Sequence, residues 1–158
     1  MAYSQTNLGL DLLLDSSGDL MVGTGGDLVL TPSGKTCLLQ DIANLLDTLP
    51  GDLFSHAAFG AGLLRLLGEE DRAEFEDLAA RTISDALTYD GSVGPRIEPE
   101  SIEVKVTRYA ETNPHRVAKI SVAFVALGET WTSRLNAVWG LSETPLVFFS
   151  NSDAGESK

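Results

Sequence analysis

The spacing of apolar residues changes character several times along the chain. Between Leu10 and Leu30, short apolar runs end in turns rich in Asp and Gly: Leu10-Asp11-Leu12-Leu13-Leu14, then Asp19-Leu20-Met21-Val22, then Asp27-Leu28-Val29-Leu30. Such runs predict a hairpin or meander of short strands. GDLMV and GDLVL resemble each other, which supports strand pairing, but the pair is too short to count as an internal repeat. From Thr36 to Leu49 the period lengthens. Leu38, Leu39, Ile42, Leu45, Leu46 and Leu49 recur at helical spacing, with Asp41, Asn44 and Asp47 between them. This predicts an amphipathic helix stopped by Pro50-Gly51.

The next stretch, Leu49 to Leu67, is punctuated by Pro50-Gly51 and by Gly60-Ala61-Gly62, yet it carries Phe54 and Phe59. It is too hydrophobic for an idle surface loop, so it packs or is packed upon. A short helix is expected after Gly62. A second long helix is announced by Asp71 with Glu74 three residues on, a capping-box pattern. Phe75, Leu78, Ala79, Ile83, Ala86 and Leu87 then share one face, and Tyr89-Asp90-Gly91 ends it.

Beyond the proline-bearing linker Ser92–Pro99 the period becomes two. Ile102, Val104 and Val106 alternate with polar residues. Ile120, Val122 and Phe124 mark a second strand, and Trp131, Leu135 and Trp139 a third, with Asn113-Pro114-His115 and Gly128-Glu129 as the turns. Sequential strands with short turns make an antiparallel meander, which helices on one face cover. The expected class is α+β: an antiparallel meander sheet covered by two main helices, with an N-terminal β-hairpin region. Residues 1–140 read as a single domain, and residues 141–158 as a C-terminal extension that docks on a neighbouring subunit.

Composition narrows the function. The 158 residues are 43% hydrophobic and carry a net charge of −12, which argues against a phosphate-neutralising surface, and so against nucleic acid. Cys37 is the only cysteine, so no intrachain disulfide can form, which fits a reducing compartment. The N-terminal residues lack the basic start and apolar core of a signal peptide, and no stretch approaches the roughly 20 apolar residues that span a bilayer. No membrane role is expected, and the protein is expected to be made in a cytoplasm.

Candidate chemistry is thin. Gly34-Lys35-Thr36 follows a strand and opens a helix, where a phosphate loop sits, but Val29 occupies the position of the required first glycine. Pro32 also removes an amide from the cradle. The carboxylates of Glu69, Glu70 and Asp71 are adjacent at a helix start, not opposed across a cleft as glycoside cleavage requires. The helix dipole there lowers their pKa values and does not raise one for acid duty. His56 and His115 have no metal-ligand spacing to each other or to Cys37. No catalytic, cofactor-binding or metal-binding residue is assigned.

The order of features carries a resemblance. A Gly-Asp-Leu strand, an apolar helix, Pro50-Gly51-Asp52, Phe59-Gly60-Ala61-Gly62-Leu63, an amphipathic helix, Pro95-Arg96 and a strand meander follow one another from Gly18 to Trp139. This resembles the baseplate wedge subunit, or sheath-initiator, family of contractile tails, found in myophage baseplates, R-type pyocins and type VI secretion baseplates. The family carries a Glu-Pro-Arg triplet before its sheet; here Gly94 stands in place of the Glu, with Glu98 and Glu100 as the nearby acids.

The resemblance implies a structural protein, not an enzyme, that links the wedge core to the first sheath ring and nucleates sheath assembly by strand augmentation. Its implied partners are the tail sheath protein and the baseplate wedge core proteins, with six copies around the tail axis. Its implied location is the tail baseplate of a virion assembled in the bacterial host cytoplasm. The implied interaction residues are Phe54, Phe59, Gly60 and Gly62 in the loop, Pro95 and Arg96 at the corner facing the wedge, and Trp131 and Trp139 as anchors of the sheet edge. Two alternatives stand beside it: a peptidoglycan-cleaving, lysozyme-like hydrolase, which the carboxylates do not support, and a small acidic protein-binding module.

Overall fold

A computed structural model describes residues 8–15, 17–63, 65, 74–89, 93, 96–108, 118–130, 132–140 and 143–149. Helix α1 spans Gly34–Asp47 and helix α2 spans Phe75–Thr88. Four strands follow: β1 (Glu103–Arg108), β2 (Ala118–Val125), β3 (Thr132–Gly140) and β4 (Glu143–Phe149). They form one antiparallel sheet in the order β1-β2-β3-β4. The class is α+β, with two long helices among the described residues lying against an antiparallel meander.

The register explains the core. Val104 faces Val122 and Val106 faces Ile120 across β1 and β2, while Ile120, Val122 and Phe124 face Ala137, Leu135 and Ser133 across β2 and β3. Alternation with period two therefore puts all of them on one face. Small Ser133 opposite Phe124 leaves room for the ring. Helix α2 packs against β1, bringing Phe75, Ala79, Ile83 and Leu87 into the same apolar cluster as Leu38, Ile42, Leu45 and Leu46 of α1. Just before the sheet, Pro99–Ser101 makes one 3-10 turn, and Ile97 bridges Ala126 to extend the β1 side.

Helix α1 begins two residues earlier than its apolar period. Ser33 is the N-cap, accepting from the Thr36 amide at 3.2 Å, so Gly34-Lys35-Thr36 forms the first helical turn. Helix α2 opens after Glu74, which makes no side-chain cap bond; Asp71 lies outside the described residues. The sheet differs from expectation at its far edge. Glu143–Phe149, set apart by sequence as an extension, pairs with β3 and is the fourth strand.

The N-terminal region pairs its short extended segments through antiparallel bridges, and closes the first on the third in a way that local spacing does not show. Three octads, DLLLDSSG (11–18), DLMVGTGG (19–26) and DLVLTPSG (27–34), share Asp at the first position, Leu at the second, Leu or Val at the fourth and Gly at the eighth. The structure honours this period. The Leu13 amide donates to Val29, Met21 to Leu13 and Val29 to Met21, at 2.7, 2.9 and 3.0 Å, closing a ring of three bonds between equivalent positions. A second set repeats it: Asp15 to Asp19, Gly23 to Asp27 and Thr31 to Asp11, at 2.9, 2.8 and 2.8 Å. The bridges Leu12–Leu30, Leu14–Leu20 and Val22–Leu28 follow the same rotation. The region is thus a triangular cap with pseudo-threefold symmetry, each strand pairing with both others through single bridges. GDLMV and GDLVL, which looked too short to be a repeat, are parts of its second and third units.

The cap is fixed to α1 by Gln40. Its Nε2 donates to the Leu12 carbonyl and its Oε1 accepts from the Leu14 amide, both at 2.9 Å. A buried carboxamide is tolerated because both its ends are paired.

Candidate protein-interaction site

The loop between the helices is built from both ends inward. Thr48 closes α1, its amide and Oγ1 donating to the Asn44 carbonyl at 3.0 and 2.7 Å. Leu49–Asp52 is then a tight turn. The Asp52 amide donates to the Leu49 carbonyl at 3.0 Å, with Pro50 second and Gly51 third at φ +98°, the residues a type II turn demands. Asp52 Oδ2 also accepts from the Leu49 amide at 3.2 Å. Two more turns, Leu53–His56 and His56–Phe59, bring the chain back. It re-enters beneath the end of α1, the Ala61 amide donating to Leu45 at 2.9 Å and the Gly62 amide to Thr48 at 3.3 Å.

This geometry separates the two phenylalanines. Phe59 is partly buried against the core, and Ala61 and Leu63 beyond it are buried. Phe54, at the tip beside the exposed Leu53, is fully exposed. Gly60 is buried at φ +118°, where an added Cβ would lie 2.4 Å from the Thr48 carbonyl oxygen. Gly62 sits at φ +66° against Pro50. The result is a loop whose feet are held by α1 and whose tip presents an aromatic ring to solvent. An exposed aromatic on a fixed turn is suited to filling a partner's pocket, since little conformational entropy is lost on docking.

Arg96 is engaged within the chain. One guanidinium nitrogen lies 2.7 Å from Asp41 Oδ2 on α1 and 3.2 Å from the Leu8 carbonyl, so it ties the pre-sheet corner to the first helix and to the segment that leads into the cap. Its own amide and carbonyl are also used, the amide donating to Val93 at 2.9 Å and the carbonyl accepting from Leu127 at 3.0 Å. With the two side chains 22% and 24% exposed, the pair is neither free in water nor fully desolvated. Replacing Arg96 with alanine is expected to lower the stability of the isolated chain by about 1–2 kcal/mol, between the values for exposed and buried pairs. Urea denaturation checks this, and an unmoved midpoint would show that the tie contributes nothing.

Of the other sequence-flagged residues, Trp139 lies in β3 opposite Ala118, and Pro95 and Trp131 fall outside the described residues, as do Gly94, His115 and Glu69–Asp71. Glu98 and Glu100 are exposed at the same corner of the chain as Arg96.

Little here supports chemistry. Burial, with the Asp41 carboxylate beside it, pushes the Cys37 thiol up, so it is a packing residue and a poor nucleophile at neutral pH. Ser55 Oγ lies 2.9 Å from His56 Nδ1, but the two are neighbours on an exposed turn, open to water. Among the described residues no group of three His, Cys, Asp or Glu could hold a metal ion, and no helix is long and apolar enough to cross a membrane.

Comparison with known proteins decides the family. The model described as baseplate wedge protein gp25 matches residues 33–129. The chain belongs to this family. It is therefore a structural component of a contractile-tail baseplate and associates with other baseplate proteins. No curated protein matches the chain. The matched segment runs from the N-cap of α1 to the turn after β2, and so contains the loop, the Asp41–Arg96 tie and the first two strands. Nearly all of the triangular cap precedes it.

Of the loop expected to pack, residues 59–63 do so and residues 50–58 are exposed, and the sequence did not single out Gln40 or Asp41. Gln40 gave one signal, a polar residue flanked by Leu38, Leu39 and Ile42 in an apolar helix. Asp41 gave none, because its partner lies 55 positions away.

Proposed function

We propose that this protein joins the baseplate wedge core to the first ring of sheath subunits and nucleates sheath assembly by strand augmentation, in six copies around the tail axis. The observation that supports this best is the sheet edge. Strand β1 has β2 on one side and no strand among the described residues on the other, and alternate residues of Glu103–Arg108, none of them proline, turn their amide and carbonyl to that open side. An extended arm from a sheath subunit would satisfy these groups, as in other strand-addition complexes. Strand β4, the other edge, contains Pro145 and lacks a donor there, so β1 is the better template.

In this reading the loop faces the wedge. Phe54 makes the direct contact, while Phe59, Gly60 and Gly62 set the loop and Arg96 holds the adjoining surface in place. Pro95, Trp131 and Trp139 complete the set, the proline stiffening the corner and the tryptophans anchoring the sheath side. No step requires catalysis or a cofactor.

Deleting the protein is expected to leave baseplates or tubes without anchored sheath; normal contractile particles from the deletion would overturn the reading. A narrower test is Phe54→Ala. Loss of a central aromatic anchor of about 2 kcal/mol lowers incorporation into the wedge about 30-fold. The melting temperature of the isolated chain is expected to stay unchanged, because the ring touches nothing it could release. Equal incorporation of the variant would remove Phe54 from the interface.

A further inference from the structure

The triangular cap has three equivalent faces, and among the described residues only one of them is occupied. On the first octad, α1 covers the strand: Leu12, Leu13 and Leu14 are half-buried, and Gln40 bridges the Leu12 carbonyl and the Leu14 amide. The pseudo-threefold carries this pair of backbone groups onto Leu20 and Val22 in the second octad, and onto Leu28 and Leu30 in the third. Neither the Leu20 carbonyl with the Val22 amide nor the Leu28 carbonyl with the Leu30 amide has a hydrogen-bond partner among the described residues. The side chains at these positions are exposed in the same way, Leu20 at 49%, Val22 at 61%, Leu28 at 49% and Leu30 at 56%, and Met21 lies between the first two. Large apolar side chains grouped on one small element mark an interaction surface more often than a bare surface.

We propose that the second and third octads each present a docking face for a partner helix built like α1, with an apolar face carrying a glutamine or asparagine and basic residues at its margins. Three observations converge on this occupant. Helix α1 shows directly what fits an octad: one carboxamide that pairs both backbone groups at 2.9 Å. A partner strand fits less well. The carbonyl and amide of Leu13, Met21 and Val29 are already used inside the cap, so each face offers one isolated acceptor–donor pair and no ladder to extend. One carboxamide satisfies such a pair completely. The charge points the same way, because residues 1–34 contain Asp11, Asp15, Asp19 and Asp27 and no Lys or Arg. An acidic rim round an apolar centre selects a basic-rimmed partner and speeds the encounter.

This inference rests on the baseplate reading, and hydrogen exchange separates the two. In the free chain the Leu14 amide is expected to exchange slowly and the Val22 and Leu30 amides quickly. In purified baseplate particles Val22 and Leu30 are expected to slow by at least about 10-fold. Unchanged exchange at both positions in particles that contain the chain would overturn the docking surface while leaving the baseplate reading intact. Particles that lack the chain would overturn both. Protection of Val22 and Leu30 already present in the free chain would mean that the protein covers this face itself, and would also overturn the proposal. Two variants make the test independent of exchange. Val22→Asp and Leu30→Asp, at exposed positions, are expected to leave the melting temperature within about 2 °C, since surface changes of this kind stay near 0.5 kcal/mol. Incorporation is expected to fall about 10-fold for each, as burying an unpaired carboxylate at a docked apolar face requires. Full incorporation of both, or a strand paired across Val22 in a particle reconstruction, would sink the helix.

Discussion

Replacing Gly60 with alanine is expected to remove about 4 kcal/mol of stability, more than any other substitution in the inter-helix loop. Two effects add. At φ +118° an L side chain is strained wherever it is placed, at about 1–3 kcal/mol. The new Cβ would also meet backbone atoms only: the Thr48 carbonyl oxygen at 2.4 Å, the Thr48 carbonyl carbon at 2.9 Å and the Leu49 carbonyl carbon at 3.0 Å. Backbone cannot rotate away as a side chain can. Relief requires moving the end of α1 away from the returning chain, and that breaks the bonds from Ala61 to Leu45 and from Gly62 to Thr48. Phe59, Ala61 and Leu63 would lose their seats in the core with them.

The neighbouring glycines serve as controls. Gly51 has φ +98° but nothing within 4 Å of a Cβ, and Gly62 at φ +66° meets only the Pro50 ring, Cδ at 3.2 Å and Cγ at 3.8 Å. Alanine at either is expected to cost about 1–2 kcal/mol. Thermal denaturation should therefore show Gly60→Ala melting about 8–16 °C below the parent, with the other two much closer to it. Equal losses at Gly51 and Gly60 would show that torsional strain alone matters and that the overlap with Thr48 does not.

Where the protein followed simple periods, its fold was readable from sequence. The helical spacing of Leu38 to Leu46 and of Phe75 to Leu87, and the alternation in Ile102–Val106 and Ile120–Phe124, each marked an element that the structure contains. These signals are local, because each apolar residue is judged against neighbours a few positions away. What escaped was non-local. The first octad must pair with the third, across 18 residues from Leu12 to Leu30, before the repeat is visible as a shape. Its fifth position also varies, Asp15, Gly23 and Thr31, which hides the period from the eye. Strand β4 was obscured by Pro145, which ordinarily argues against a strand and is accommodated here beside an irregularity in its pairing with β3. The loop glycines announced that a backbone constraint existed, but the burial of Phe59 and the exposure of Phe54 depend on which way the turns face, and no spacing states that. Arg96 was expected to face the wedge, and its pairing within the chain escaped because its partners, Asp41 and the Leu8 carbonyl, are 55 and 88 positions away.

Gln40→Ala is the second substitution expected to weaken the fold strongly, by about 3 kcal/mol, and it discriminates between two ways of holding the cap. Removing the carboxamide strands the Leu12 carbonyl and the Leu14 amide in a half-buried joint, at about 1–3 kcal/mol for the groups left unpaired. The missing side-chain volume adds a smaller loss. Gln40→Met separates the terms, since it keeps most of the volume and none of the hydrogen bonding. If polar pairing holds the cap, methionine is expected to lose nearly as much as alanine in urea denaturation. The amides of Leu13, Met21 and Val29, which close the ring within the cap, are then expected to exchange faster in both variants while those of β2 and β3 change little. Restoration of full stability by methionine would show that packing alone seats the cap. The open faces on the second and third octads would then lose their strongest warrant, because the joint they copy would owe nothing to its carboxamide.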